Sequence, residues 1–137
     1  MTACWDGKAR IWDIDKGYLK KNLVHPGCVD DCSLSRDGSL LLTVSGCRER
    51  TAYLWDVATG ERLTRFVGHT DALQRCVLSE KYLVTTGNDG TARVWRRPVP
   101  TKNYLGHTVW PKVVPEDLAK VVPKIVAGGM MDLGQMK

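Results

Sequence analysis

Phenylalanine is almost missing from this chain. One Phe stands among 137 residues, against five Trp and four Tyr. That imbalance makes the placement of the Trp residues the first thing to read. Long apolar runs are missing too. None approaches the roughly 18 residues that a membrane-spanning helix needs, so no such helix is expected. The five cysteines, Cys4, Cys28, Cys32, Cys47 and Cys76, contain no Cys-x-x-Cys pair, and there is no Gly-x-x-x-x-Gly-Lys-Ser/Thr phosphate loop. The opening Met-Thr-Ala-Cys-Trp-Asp is polar and lacks the basic-then-apolar character of a secretory leader. With an odd cysteine count, the expectation is free thiols in a reducing compartment, the cytoplasm first and the nucleus second. Apolar residues are not short. At 43% apolar and 26% charged, the composition is globular and excludes wholesale disorder. The length fits about one domain.

The Trp residues are spaced. Trp12-Asp13, Trp55-Asp56 and Trp95-Arg96 stand 43 and 40 residues apart. Residues 2–12 align with residues 85–95, with Thr, Asp, Gly, Ala, Arg and Trp shared at six of eleven positions. His25 leads to Val29, Cys32, Leu34 and Ser35 at the same offsets by which His69 leads to Leu73, Cys76, Leu78 and Ser79. Two separate alignments at one period identify a repeat, and a period of about 40–45 residues is that of a four-stranded propeller blade.

These features resemble the WD-repeat β-propeller family. The residues that carry the resemblance are Gly68-His69, Ser35-Arg-Asp-Gly38, Asp89-Gly90 and the Trp-Asp pairs, over about residues 2–110. The expected fold is all-β, a partial propeller of about two and a half blades. Segments 29–34 and 73–78 read as innermost strands, 40–45 and 82–86 as second, 8–13, 51–57 and 91–96 as third, and 18–24 and 62–67 as outermost. The resemblance also implies a hydrogen-bond network of a loop His, a strand Ser or Thr, a turn Asp and the Trp indole in each blade. Its physical basis is that buried N–H, hydroxyl and imidazole groups need partners. The third repeat has the full set in His69, Thr85, Asp89 and Trp95. The middle repeat has His25, Thr43 and Trp55, but Glu49 stands at the Asp position and Arg50 at the Gly position. The first has Thr2, Asp6 and Trp12 with no upstream His.

Even four blades need about 160–180 residues. Residues 1–110 are therefore expected to be an incomplete propeller. It is read as a piece of a longer one or, second, a half-ring completed by another chain. After Gly106-His107 the pattern stops, with Pro111 where an apolar strand residue belongs. Residues 111–137 read as a tail. Pro115 to Val122 has the marks of a short helix, with Pro first, acids in the first turn and Pro123 as its stop. Leu118, Val121 and Val122 would be its docking residues. Gly128-Gly129 and the Met-rich end read as flexible.

No catalytic set emerges. His25, His69 and His107 all occupy the repeat position that the family uses structurally. Zinc ligation by His25, Cys28, Cys32 and Cys47 matches no standard spacing. Asp30 and Asp31 are adjacent on a strand and point to opposite faces. No enzyme, metal or cofactor is expected. The charge of +5, from 20 Lys and Arg against 15 Asp and Glu, gives clusters at Lys8, Arg10, Lys16, Lys20 and Lys21 and at Arg93, Arg96 and Arg97. A basic adaptor for RNA or acidic membrane is the second functional reading. Trp95-Arg-Arg-Pro98 departs from the family's phosphoinositide motif. Trp12-Asp-Ile-Asp15 and Trp55-Asp-Val-Ala58 lack the Arg of its ubiquitin-ligase receptors. The first reading is a scaffold that binds other proteins. The resemblance makes the residue before each turn acid solvent-facing, so Trp5, Arg48 and Asn88 are the candidate contacts, and Trp and Arg are types enriched in binding hot spots.

Overall fold

The computed structural model describes residues 1–114 and 119–123, the latter as backbone. It is all-strand. The strands are β1 (Thr2–Cys4), β2 (Lys8–Asp13), β3 (Tyr18–Val24), β4 (Asp31–Leu34), β5 (Leu40–Ser45), β6 (Thr51–Asp56), β7 (Arg62–Val67), β8 (Leu73–Leu78), β9 (Tyr82–Gly87), β10 (Thr91–Arg96), β11 (Thr101–Lys102), β12 (Thr108–Val109), β13 (Val113–Val114) and β14 (Ala119–Pro123). They build three blades: β1-β2-β3, then β4-β5-β6-β7, then β8-β9-β10 with β14 outermost. All nine strands read from the sequence are present, with bounds that agree to within two residues.

Period-two alternation decides what each blade packs against. On β5 and β6, Leu40, Leu42, Val44, Ala52 and Leu54 face the third blade and meet Leu73, Cys76, Leu83 and Trp95. The intervening Leu41, Tyr53 and Trp55 face the first blade and meet Ala9 and Leu23. The middle blade is thus covered on both sides, and every residue of β5 is buried. Trp55 and Trp95 each face the preceding blade. Trp95 and Trp55 are 1% and 6% exposed, whereas Trp12, with no blade in front of it among the described residues, is 40% exposed.

The C-terminal segment departs from expectation. β11 and β12 form a hairpin, and His107 sits exposed in its turn instead of at a blade's network position. β13 then adds a parallel strand outside β7, burying Val114 against the core shared by the second and third blades, with Trp110 packed beside it. Residues 119–123 form a strand along β10, from Thr91↔Pro123 to Trp95↔Ala119, where a helix was expected. The outer edge of β10 offers unpaired backbone groups, and β-branched Val121 and Val122 suit a ladder better than a helix. Pro123 is tolerated at the end of an edge strand. The rest of the expected helix, with Leu118, and the Gly128–Met136 stretch lie outside the described residues.

Candidate functional site

In the third blade the network closes. Thr85 Oγ1 accepts from Trp95 Nε1 at 3.0 Å and lies 2.9 Å from His69 Nε2. His69 Nδ1 lies 2.8 Å from Asp89 Oδ2 and donates to it. Asp89 is also fed by the Thr91 hydroxyl at 2.7 Å and by the Thr91 and Thr70 amides at 3.0 Å. Burial alone would raise its pKa, but the bonds from Thr91, Thr70 and His69 outweigh it and hold the carboxyl well below the usual range. One carboxylate therefore clasps the 88–90 turn to the 68–72 loop.

The middle blade keeps the inner half of this network. Trp55 Nε1 donates to Thr43 Oγ1 at 2.9 Å, and Thr43 Oγ1 is 2.7 Å from His25 Nε2. His25 Nδ1, however, donates to the Leu23 carbonyl at 3.1 Å. A carbonyl can only accept, so Nδ1 carries the proton and Nε2 accepts from the Thr43 hydroxyl. Burial lowers the His25 pKa, in keeping with a neutral ring. Glu49 turns away and accepts from the Tyr53 hydroxyl. Burial, then that bond, pushes the Tyr53 pKa up to about 12. The Arg62 guanidinium lies 5.0 Å over the Tyr53 ring. Where the other two blades have Gly7 (φ 81°) and Gly90 (φ 80°), the middle blade has Arg50 at φ 48°, a conformation that costs a side-chain-bearing residue about 1–2 kcal/mol. The turn is held instead by Asp30 Oδ2, which accepts from the Gly46 amide at 2.6 Å, and by a Cys28–Cys47 disulfide with Cα atoms 5.8 Å apart. A Cβ on Gly46 would stand 2.6 Å from that carboxylate oxygen and 3.0 Å from the Leu73 carbonyl oxygen, so any other residue there would displace the Asp30 bond. The expectation of five free thiols thus fails at Cys28 and Cys47, because the fold brings two loops 19 residues apart in sequence to one place. Cys4, Cys32 and Cys76 are free. Burial pushes the Cys32 and Cys76 thiols up, away from the thiolate a nucleophile needs.

The first blade has Trp12 Nε1 donating to Thr2 Oγ1 at 3.0 Å. Asp6 pairs with Arg10 instead of a histidine. The Arg10 hydrogen bond holds the Asp6 pKa down to about 2.

All three turns and the two inter-blade loops converge on one rim. His25 N donates to Gly7 O at 2.8 Å, Val29 N to Cys4 O at 3.1 Å and Asn88 N to Ala72 O at 2.8 Å. Arg50 Nη1 donates to Thr70 O at 2.9 Å. Trp5, Arg48 and Asn88 all lie on this rim with exposed side chains, and Trp5 is 80% exposed. No converging metal-ligand set of His, Cys, Asp or Glu occurs among the described residues. Of the four residues weighed for zinc, His25 has both ring nitrogens engaged and two cysteines are joined to each other. Parts of the basic clusters are paired or buried. Arg10 pairs with Asp6, Lys20 with Asp13 at 3.0 Å, and Arg93 is 4% exposed.

Sequence reasoning missed the bonds between blades. Asp31 Oδ2 accepts from Cys76 N and Ser33 Oγ from Leu78 N, both at 3.0 Å. Both pairs are 45 residues apart, close to the repeat period, and Asp31 and Ser33 share one face of β4. That pairing of polar residues on an innermost strand was the available signal. Asp30 and Asp31 do diverge, one to its own blade's turn and one to the next blade.

Residues 17–56 and 60–96, together more than half of the chain, match the family described as WD domain, G-beta repeat. The nuclear distribution protein nudF of Aspergillus niger is 27% identical over 135 residues, covering 80% of this chain and 30% of that protein. Autophagy-related protein 16 of Arabidopsis thaliana is 30% identical over 97 residues, covering 69% and 19%. WD repeat and SOCS box-containing protein 1 of Homo sapiens is 32% identical over 98 residues, covering 69% and 23%. The chain spans less than a third of the length of each of these relatives. With three Trp-signed blades, a complete His–Thr–Asp–Trp network in the third and the family match across the second and third, the chain belongs to the WD-repeat family.

Proposed function

We propose that this chain is the interaction-bearing part of a larger propeller, a non-catalytic scaffold whose turn rim binds another protein. WD-repeat proteins are in general interaction scaffolds, which is the coarse ground for the reading. The observation that carries the finer one is the rim itself. Trp5 is 80% exposed there, and Arg48 and Asn88 accompany it on turns that are each hydrogen-bonded to an adjacent inter-blade loop. An exposed indole on a fixed backbone is a low-entropy anchor for a partner surface. The 40% exposure of Trp12 supports further blades in front of the first, from the same polypeptide or a second chain. The ring nitrogens of His25 and His69 are engaged within their blades, so the reading gives neither a proton-transfer role. The cytoplasm, then the nucleus, is the compartment it expects.

The test is site-specific photo-cross-linking in cells. A photoreactive side chain at position 5, 48 or 88 should give discrete protein adducts, and one at Asp15, Ser39 or Glu80 on the opposite rim should not. Adducts from the opposite rim alone would refute the assignment.

A further inference from the structure

We propose that Cys28 and Cys47 form a reversible thiol–disulfide exchange site that takes low-molecular-weight disulfides as its oxidant, and that its oxidation fastens the 46–50 turn in place of the carboxylate–imidazole clasp of the third blade. Three observations meet at this turn. Glu49 is committed to Tyr53 and supplies no clasp to His25. Arg50 occupies the left-handed conformation that glycine holds in the sister turns. The cross-tie to the loop before the innermost strand is the Cys28–Cys47 bond together with the Gly46–Asp30 hydrogen bond. Loss of the covalent tie leaves the Gly46–Asp30 and Arg50–Thr70 hydrogen bonds to hold a strained turn.

The two sulfurs differ in access. Cys28 is 7% exposed, whereas Cys47 lies open on the rim. Exchange proceeds by thiolate attack on an accessible sulfur through a mixed disulfide. The Cys47 thiolate attacks one sulfur of a small disulfide such as oxidised glutathione. A Cys47–glutathione bond forms as the glutathione S–S bond breaks, expelling one thiolate. The Cys28 thiolate then attacks Cys47 Sγ, closing the protein disulfide and expelling the second. Two protons pass from the cysteines to the two released thiols. The protein pair is oxidised and the small disulfide is reduced. A small thiol reverses the sequence by attacking Cys47. Exposed disulfides are the labile class, so the pair suits a compartment whose thiol poise changes.

The full chain is equilibrated with excess oxidised or reduced glutathione, quenched, alkylated under denaturing conditions and weighed. Three alkylated cysteines, Cys4, Cys32 and Cys76, with a cross-linked Cys28–Cys47 peptide are expected after oxidation, and five after reduction. Amide exchange over residues 45–53 should quicken at least several-fold on reduction, while residues 85–93 stay unchanged. Cys47→Ser, at an exposed position, should fix the faster exchange under both conditions. Cross-linking of any other pair, a persistent glutathione adduct at Cys47 without closure, or equal exchange over 45–53 in both states would overturn the proposal.

Discussion

The second and third blades share a fold and the inner half of a hydrogen-bond network, yet they fasten the same turn differently. The third blade does so with a single carboxylate that His69, Thr70 and Thr91 all address. The second spreads the task over a backbone amide, a disulfide and an arginine bond to Thr70. The inner half, Trp to Thr to His, is the same in both. That inner half is the part of the motif the blade architecture demands. The indole and the strand hydroxyl are buried by packing between blades and must be satisfied wherever a blade is packed. The turn lies at the rim, where water and alternative partners are within reach, so its clasp can vary.

The largest effect expected separates packed from unpacked indoles. Trp95→Ala should destabilise the chain by about 3–5 kcal/mol through loss of a fully buried aromatic. Trp12→Ala, at a 40% exposed site with one hydrogen bond, should cost about 1 kcal/mol or less. Denaturant melts of the two variants check the ratio. Equal losses would break the inference that each Trp seals the gap to the blade before it.

Acid should strike the two blades in different windows. The folded pKa of His25 is lowered by burial, so the unfolded chain takes the proton first. Stability from the neutral ring is intact above about pH 6.5 and is lost as pH falls from there toward the folded pKa. The Asp89 pKa is lowered too, by its hydrogen bonds against burial. Its contribution is present above about pH 3.9 and is lost only as pH falls below that. Between pH 7 and 5 the wild type should therefore lose stability, with a slope below the ~1.4 kcal/mol per pH unit of one full proton, and His25→Gln should flatten that slope. A slope unchanged by His25→Gln would contradict the buried neutral ring.

A smaller effect sharpens the turn comparison. Arg50→Gly should stabilise by up to about 1 kcal/mol, since glycine adopts the left-handed conformation freely. Loss of the Arg50–Thr70 bond sets part of that gain aside. Thermal melting of the variant against wild type reads the sign.

Much of this was legible in the chain. The repeat placed nine of the eleven blade strands, because period-two burial and Asp-Gly turns are local signals. Thr85, Asp89 and His69 could be placed because all three stand at family spacings. Three things were not legible, each because it depends on which loops meet in space. The Cys28–Cys47 bond joins a loop and a turn that no spacing rule pairs. The Leu23 carbonyl that replaces a carboxylate partner for His25 has no sequence mark. The β14 strand answers to the open edge of β10, not to its own proline-bounded pattern, which reads as helix. Trp5 is 80% exposed in the turn between β1 and β2, at the position that the resemblance makes solvent-facing.

The central claim, that equivalent turns are clasped by different chemistry, is most directly tested by a matched pair of neutralising substitutions in the full chain. Asp89→Asn should cost about 1–3 kcal/mol in denaturant unfolding, the range for disrupting a buried hydrogen-bonded carboxylate. Glu49→Gln, whose carboxylate accepts from the Tyr53 hydroxyl and clasps no loop, should change stability by about 0.5 kcal/mol or less. Equal costs, or a larger cost at Glu49, would mean that the middle turn depends on its carboxylate after all.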